Sequence, residues 1–260
     1  MRSPSTFEAV LHRDRLVVTV GLAGITALSW FYTLYLARSM PDTITGVELA
    51  LPQMHVWEAA YLPMIFVMWA VMMTAMMVPS ASPLVLLFAR LNRTRHEEKD
   101  PLLPTAAFVA GYVLVWTAYS ATAALTQWGL HRAALLSPSA VSASPIFGGV
   151  LLLAAGIFQW TPLKQACLTQ CRSPLGFLMS EWRAGERGAL IMGIKHGWYC
   201  VGCCWVLMAL LFVAGVMNLL WMAAITAFVL AEKLLPRGEV VGLLGGVLMV
   251  VAGILLLARG

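Results

Sequence analysis

The chain has 260 residues, of which 60% are hydrophobic and only 11% charged, with a formal net charge of +5. A soluble domain carries roughly 25% charged residues, so more than half of the charge a watery surface requires is missing. The composition excludes a large soluble domain, leaves no tract rich enough in Ser, Pro or Gln for a disordered tail, and gives too little positive charge for a nucleic-acid partner. Lipid is the expected solvent for most of the surface.

Apolar runs long enough to cross roughly 30 Å of hydrocarbon lie near 16–37, 59–88, 105–128, 146–162, 198–216, 218–235 and 240–258. They predict an all-α, polytopic membrane protein of about seven transmembrane helices, with residues 1–260 forming one integral membrane domain. The first run follows Arg13 and Arg15 as a secretory signal would, but it is too long for a signal core and reads as a retained helix. The second contains Pro63, expected in the first turn, and Pro79, expected at a kink or near the end. The fourth and sixth runs are short, and the fifth and sixth meet at Gly215–Asn218, which predicts a tight helical hairpin or a re-entrant pair.

Lys and Arg distribute unevenly between the two sides of such a topology. Arg2, Arg13, Arg15, Arg90, Arg93, Arg95, Lys99, Lys164, Arg172, Arg183, Arg187, Lys195, Lys233 and Arg237 fall on one side; only Arg38, Arg132 and Arg259 fall on the other. The positive-inside rule then predicts a multi-pass inner-membrane protein with a cytoplasmic N-terminus and an external C-terminus. The longest segment between spans, 163–197, lies inside. It mixes Leu168, Leu175, Phe177, Leu178, Met179 and Trp182 with Lys164, Arg172 and Arg183, the composition of a short helix lying in the cytoplasmic interface.

All five cysteines fall in one window: Cys167, Cys171, Cys200, Cys203 and Cys204. Cys167 and Cys171 are four apart and share a helix face. Taking about 100° per residue, His196, Cys200 and Cys203 point within about 60° of one another, and Cys204 lies at the edge of their stripe. Soft thiolates select Cu(I) or Zn(II), and imidazole is an acceptable further ligand. The cytoplasmic side keeps thiols reduced, which argues against a structural disulfide. Met64, Met68, Met72 and Met76 repeat every four residues in the second run, beside Met73 and Met77. Thioethers are soft, neutral and weakly held ligands, suited to passing Cu(I) between low-affinity sites. Core packing explains a methionine stripe taken alone; beside the thiols, a metal ion with copper(I) favoured over zinc becomes the expected ligand.

Weaker features are His55 and Met54, a candidate entry pair before the second helix, and Glu232 with Lys233, expected to pair with each other or to snorkel. No phosphate loop, nucleophile elbow or zinc-protease motif is present.

The strings MWAVMMTAMMVPSASP (68–83), QWTPLKQACLTQCRSPLGFL (159–178), GALIMGIKHGWYCVGCCWVLMALLFVAGVMNLLWMA (188–223) and EKLLPRG (232–238) resemble those of a bacterial family of uncharacterised, predicted metal-binding integral membrane proteins. The resemblance spans most of 58–240, includes all five cysteines and His196, and implies metal binding without naming a reaction. Two functional readings remain open beside soft-metal binding or delivery, for which a metal-donor or metal-acceptor protein is the expected partner. One is a membrane thiol oxidoreductase in which Cys200-Val-Gly-Cys203, at a helix start, and the Cys167/Cys171 pair work with a quinone. The other is a non-catalytic subunit of a membrane complex.

Overall fold

In a computed structural model, the described residues are 6–39, 61–95, 102–133, 135–136 and 144–259. Met54 and His55 lie outside them. Ten helices are found among the described residues: α1 (Thr6–Ser39), α2 (Leu62–Arg95), α3 (Leu102–Arg132), α4 (Pro145–Phe158), α5 (Pro162–Arg172), α6 (Pro174–Glu181), α7 (Gly185–Ala209), α8 (Leu211–Ala214), α9 (Leu219–Leu234) and α10 (Gly238–Arg259).

Five of these stretches are long and apolar enough to cross a membrane: Arg13–Arg38, Leu62–Thr94, Leu102–Arg132, Gly185–Ala214 and Gly238–Arg259. The fourth sequence run forms the 14-residue α4, which reaches span length only together with α5 across a 64° bend. The sixth forms the 16-residue α9. Both are short for 30 Å at 1.5 Å per residue.

The share of each apolar stretch buried inside the protein rises from 11% in α1 to 61% in α7, so α7 is the central helix. It packs along α3, which also packs on α2, while α1 leans on α2 and α4 pairs with α10 at the periphery. Proline chemistry joins the first two helices. Pro79 and Pro83 sit inside α2. Pro79 has no N–H for the Ala75 carbonyl four residues back, and Trp30 of α1 donates its indole N–H to that oxygen at 3.1 Å. Pro63 falls in the first turn of α2, where the lost donor costs little.

The interval 163–197 is not a single surface helix. It contains α5, α6 and the first half of α7. Leu168, Phe177 and Leu178 are buried in the protein core, whereas Leu175 and Met179 are exposed. The apolar residues divide between two surfaces because Pro174 and the Trp182–Ala184 break turn the chain twice. Downstream, Gly215 takes a φ of +100°, which ends α8, and Asn218 caps α9 by accepting from the Trp221 N–H at 3.1 Å. The chain thus turns within four residues between α8 and α9, while α9 makes only slight contact with α7.

Candidate metal centre

α7 begins at Gly185, well before the apolar run that starts at 198, so His196 and Cys200 lie inside the helix rather than at its start. Lys195 and His196 interrupt the hydropathy, but Gly185–Lys195 still continues the helical phase and docks on α3. Cys200-Val-Gly-Cys203 therefore lacks the free helix N-terminus that the oxidoreductase reading invoked.

His196, Cys200, Cys203 and Cys204 are all buried. Cys204 is as enclosed as its neighbours, although helical phase put it at the edge of the stripe. The thiols of Cys203 and Cys204 donate to the same acceptor, the Cys200 carbonyl, at 3.1 and 2.9 Å. Cys171 of α5 is close enough for its side chain to interact with Cys200 and Cys203. Cys167, partly buried, lies over α7: a Cβ added at Gly202 would come 2.7 Å from its Sγ, so the glycine makes room for the sulfur. Two cysteine-bearing helices thus meet, and all five cysteines are free thiols.

Two residues outside the predicted set, Lys233 and Tyr112, bind Cys200. Lys233 of α9 donates from Nζ to Cys200 Sγ at 2.9 Å and to Ser80 Oγ of α2 at 3.1 Å. The Tyr112 hydroxyl of α3 sits 3.0 Å from the same sulfur and donates to the Met77 carbonyl at 3.0 Å. Either the phenol or the thiol can supply the proton of the contact between them. Ser80 also donates to the Met77 carbonyl, at 2.9 Å. Glu232 and Lys233 do not pair with each other. Adjacent on a helix, their side chains diverge by about 100°, and Glu232 instead meets Lys164 of α5 at 2.6 Å.

His196 sits among the rings of Phe108, Tyr112 and Phe177, at centroid distances of 6.4, 5.8 and 5.2 Å. Its buried Nδ1 has no hydrogen-bond partner. An orphaned imidazole nitrogen one helical turn from Cys200 is a donor available to a soft cation. Among the described residues, no group of three or more His, Cys, Asp or Glu side chains is arranged as a preformed metal centre. The sulfurs instead meet protein partners: those of Cys203 and Cys204 the Cys200 carbonyl, that of Cys200 Lys233 and Tyr112.

The methionine stripe of α2 changes environment along its length. Met64 is 62% exposed, Met68 only 9%, and Met72, Met73, Met76 and Met77 are wholly buried. A four-residue repeat drifts about 40° per step, and here the drift carries the stripe from the bundle surface into the core. α7 holds a second ladder that composition alone hid: Met192, His196, Cys200, Cys204 and Met208 occur every fourth position, and all are buried. Testing the four-residue period upstream and downstream of His196 would have revealed it. The two ladders are linked through α3, whose Tyr112 spans Met77 of α2 and Cys200 of α7, while Trp69 of α2 packs on Phe212 of α8 at 5.4 Å.

No curated protein and no solved structure matches the chain. A family model does, that of PpoB2, described as a copper chaperone, over residues 66–256. The matched stretch takes in the buried methionines of α2 and every cysteine, and the chain belongs to this copper chaperone family.

Proposed function

We propose that the protein is a membrane-embedded copper(I)-binding and delivery protein, in which the cargo ion is held by cysteine sulfur with help from His196. The carrying observation is the approach of the partly buried Cys171 of α5 to the buried Cys200 and Cys203 of α7, beside a buried imidazole whose Nδ1 is unpartnered. Sulfur and imidazole suit a soft cation, and thiolates favour Cu(I) among the biologically common ones. Cys167, Cys204, Met64, Met68, Met72 and Met76 complete the ligand set, with Met192 and Met208 as further thioethers on the α7 ladder. The exposed start of the α2 stripe at Met64 serves as an entry, and the deep methionines lead toward the thiols. Neutral thioethers bind more weakly than thiolates, so the gradient of affinity runs inward. The copper chaperone family supports the choice of metal and a donor or acceptor protein as partner.

The exposed apolar side chains of the outer helices, such as Leu28, Phe31, Leu220 and Leu248, face lipid in this reading. The charge asymmetry supports an inner-membrane topology with a cytoplasmic N-terminus. Thiol redox chemistry loses its main motivation, because the CxxC is buried in mid-helix.

The test is a titration of the purified protein with Cu(I) and with Zn(II) against a competing chelator under reducing conditions. One tightly bound Cu(I), lost in a variant with all five cysteines replaced by Ser and favoured over Zn(II), is the expected result. Equal copper binding by the cysteine-free variant would remove the proposal.

A further inference from the structure

α5 is the short half of the thiol cluster and packs on α7. It has eleven residues, too few for a stable helix on its own, and it leaves α4 at a 64° bend. Only Lys164 and Leu168 of its side chains are buried. Leu168, with Cys167 and Cys171 partly packed on the core, gives α5 apolar contact along α7, but such contact is non-directional and does not by itself fix rotation or register. Yet Cys171 must meet Cys200 and Cys203, and a rotation of one residue would swing it aside by about 100°.

The directional restraint comes from charge. Lys164 Nζ is fully buried and donates to Glu232 Oε1 at 2.6 Å and to Gln159 Oε1. Glu232 is itself only 2% exposed. A Cβ at Gly242 of α10 would come 2.8 Å from Glu232 Oε1, so the pair sits in a slot closed on that side by backbone. At the other end of α5, Arg172 donates to the Leu235 and Pro236 carbonyls at 3.3 and 2.9 Å and pairs with Glu239 at 3.0 Å. That second tie is exposed and contributes little. Lys164, Leu168 and Cys171 advance by four and then three residues along one helix face. A buried pair of this kind adds little net stability, and its best-attested use is to specify one register among several.

We propose that Lys164 is a positioning residue: its ion pair with Glu232 sets the register of α5 so that Cys171 is presented to Cys200 and Cys203 as a further sulfur for the cargo ion. The inference rests on the copper reading above. Lys164 is bonded to Glu232 and Gln159 and acts through the cysteines that α5 carries, Cys171 above all.

The experiment is a double-mutant cycle with two readouts, Cu(I) affinity by chelator competition and the alkylation rate of Cys171 without copper. Lys164→Met alone leaves Glu232 buried and unpaired and risks misfolding, so the main variant is Lys164→Met with Glu232→Leu, which leaves no orphan charge. Cys171→Ser is expected to weaken Cu(I) binding about tenfold or more, on the scale of lost metal-site support. The Lys164→Met/Glu232→Leu variant should show a similar loss, and adding Cys171→Ser to it should cost less than about twofold more, the mark of coupled sites. Alkylation of Cys171 should accelerate about tenfold while that of Cys203 stays at the wild-type rate; the tenfold figure follows from about 1.4 kcal/mol of lost docking at that scale. Wild-type affinity in the Lys164/Glu232 variant, losses that simply multiply with that of Cys171→Ser, or no effect of Cys171→Ser would each overturn the proposal. Copper binding indifferent to every cysteine would instead defeat the functional reading, while the alkylation rates would still report on α5 register.

Discussion

The ammonium nitrogen of Lys233 lies 2.9 Å from the sulfur of Cys200, with both side chains buried and with α9 and α7 otherwise in slight contact. A lysine sealed inside an apolar bundle requires polar partners, and Ser80 and Cys200 supply them. Cys200 is thereby the most connected of the five sulfurs, touched by α9 through Lys233 and by α3 through Tyr112.

That connectivity ranks the cysteines. Cys200→Ser and Cys203→Ser should each weaken Cu(I) binding by more than about a hundredfold, beyond the range set by lost outer-shell partners. Cys204→Ser should cost less by helical phase, although its burial equals theirs. Affinity should also fall as pH is lowered, since protons compete with the cargo for sulfur and imidazole. Chelator competition across the single variants at two pH values measures both effects. Wild-type affinity in Cys200→Ser would contradict the ranking.

Tyr112→Phe isolates the hydroxyl that bridges Met77 and Cys200. The ring, and with it the contact to His196, is retained. Loss of these hydrogen bonds should destabilise the fold by about 1 kcal/mol, with the Cys200 sulfur left without its phenol partner. Thermal unfolding in detergent measures the first effect, and Cu(I) affinity the consequence at the sulfur. A variant as stable as the wild type would show that the bridge contributes nothing net.

Met208→Leu separates a ligand role from packing, because Met222 provides a matched control. Both are wholly buried, but Met222 lies on α9 and outside the α7 ladder. Either replacement conserves volume and should cost less than about 1.5 kcal/mol of stability. In cells, Met208→Leu and the pair Met68→Leu with Met72→Leu should impair copper tolerance at normal protein levels, whereas Met222→Leu should not. Equal behaviour of Met208→Leu and Met222→Leu would return the ladder to packing.

Topology is tested by single cysteines placed at Arg95 and Arg132 in a cysteine-free background. With the N-terminus cytoplasmic, an impermeant reagent applied outside should label position 132 and spare position 95. α2 ends at Arg95 and α3 at Arg132, so the two sites mark opposite ends of antiparallel neighbours. The reverse labelling would invert the orientation.

By itself, the sequence determined the helical character, the long apolar stretches and the likeness of Cys167, Cys171, His196, Cys200 and Cys203 in spacing to a soft-metal site. These are legible because helical phase and side-chain softness are local properties, carried within ten residues or so. Helix limits were less legible: Lys195 and His196 lowered the hydropathy where α7 in fact continues, since burial against α3 rather than apolarity holds that turn. Only the tertiary structure decided that Glu232 and Lys233, neighbours in the chain, serve different partners on α5 and α7. It alone brought Tyr112 and Lys233 to Cys200, and Ser80 to Lys233, from three other helices. A buried charge or hydroxyl takes whichever partner the packing brings within reach, and that partner lies dozens of residues away, where no local period records it.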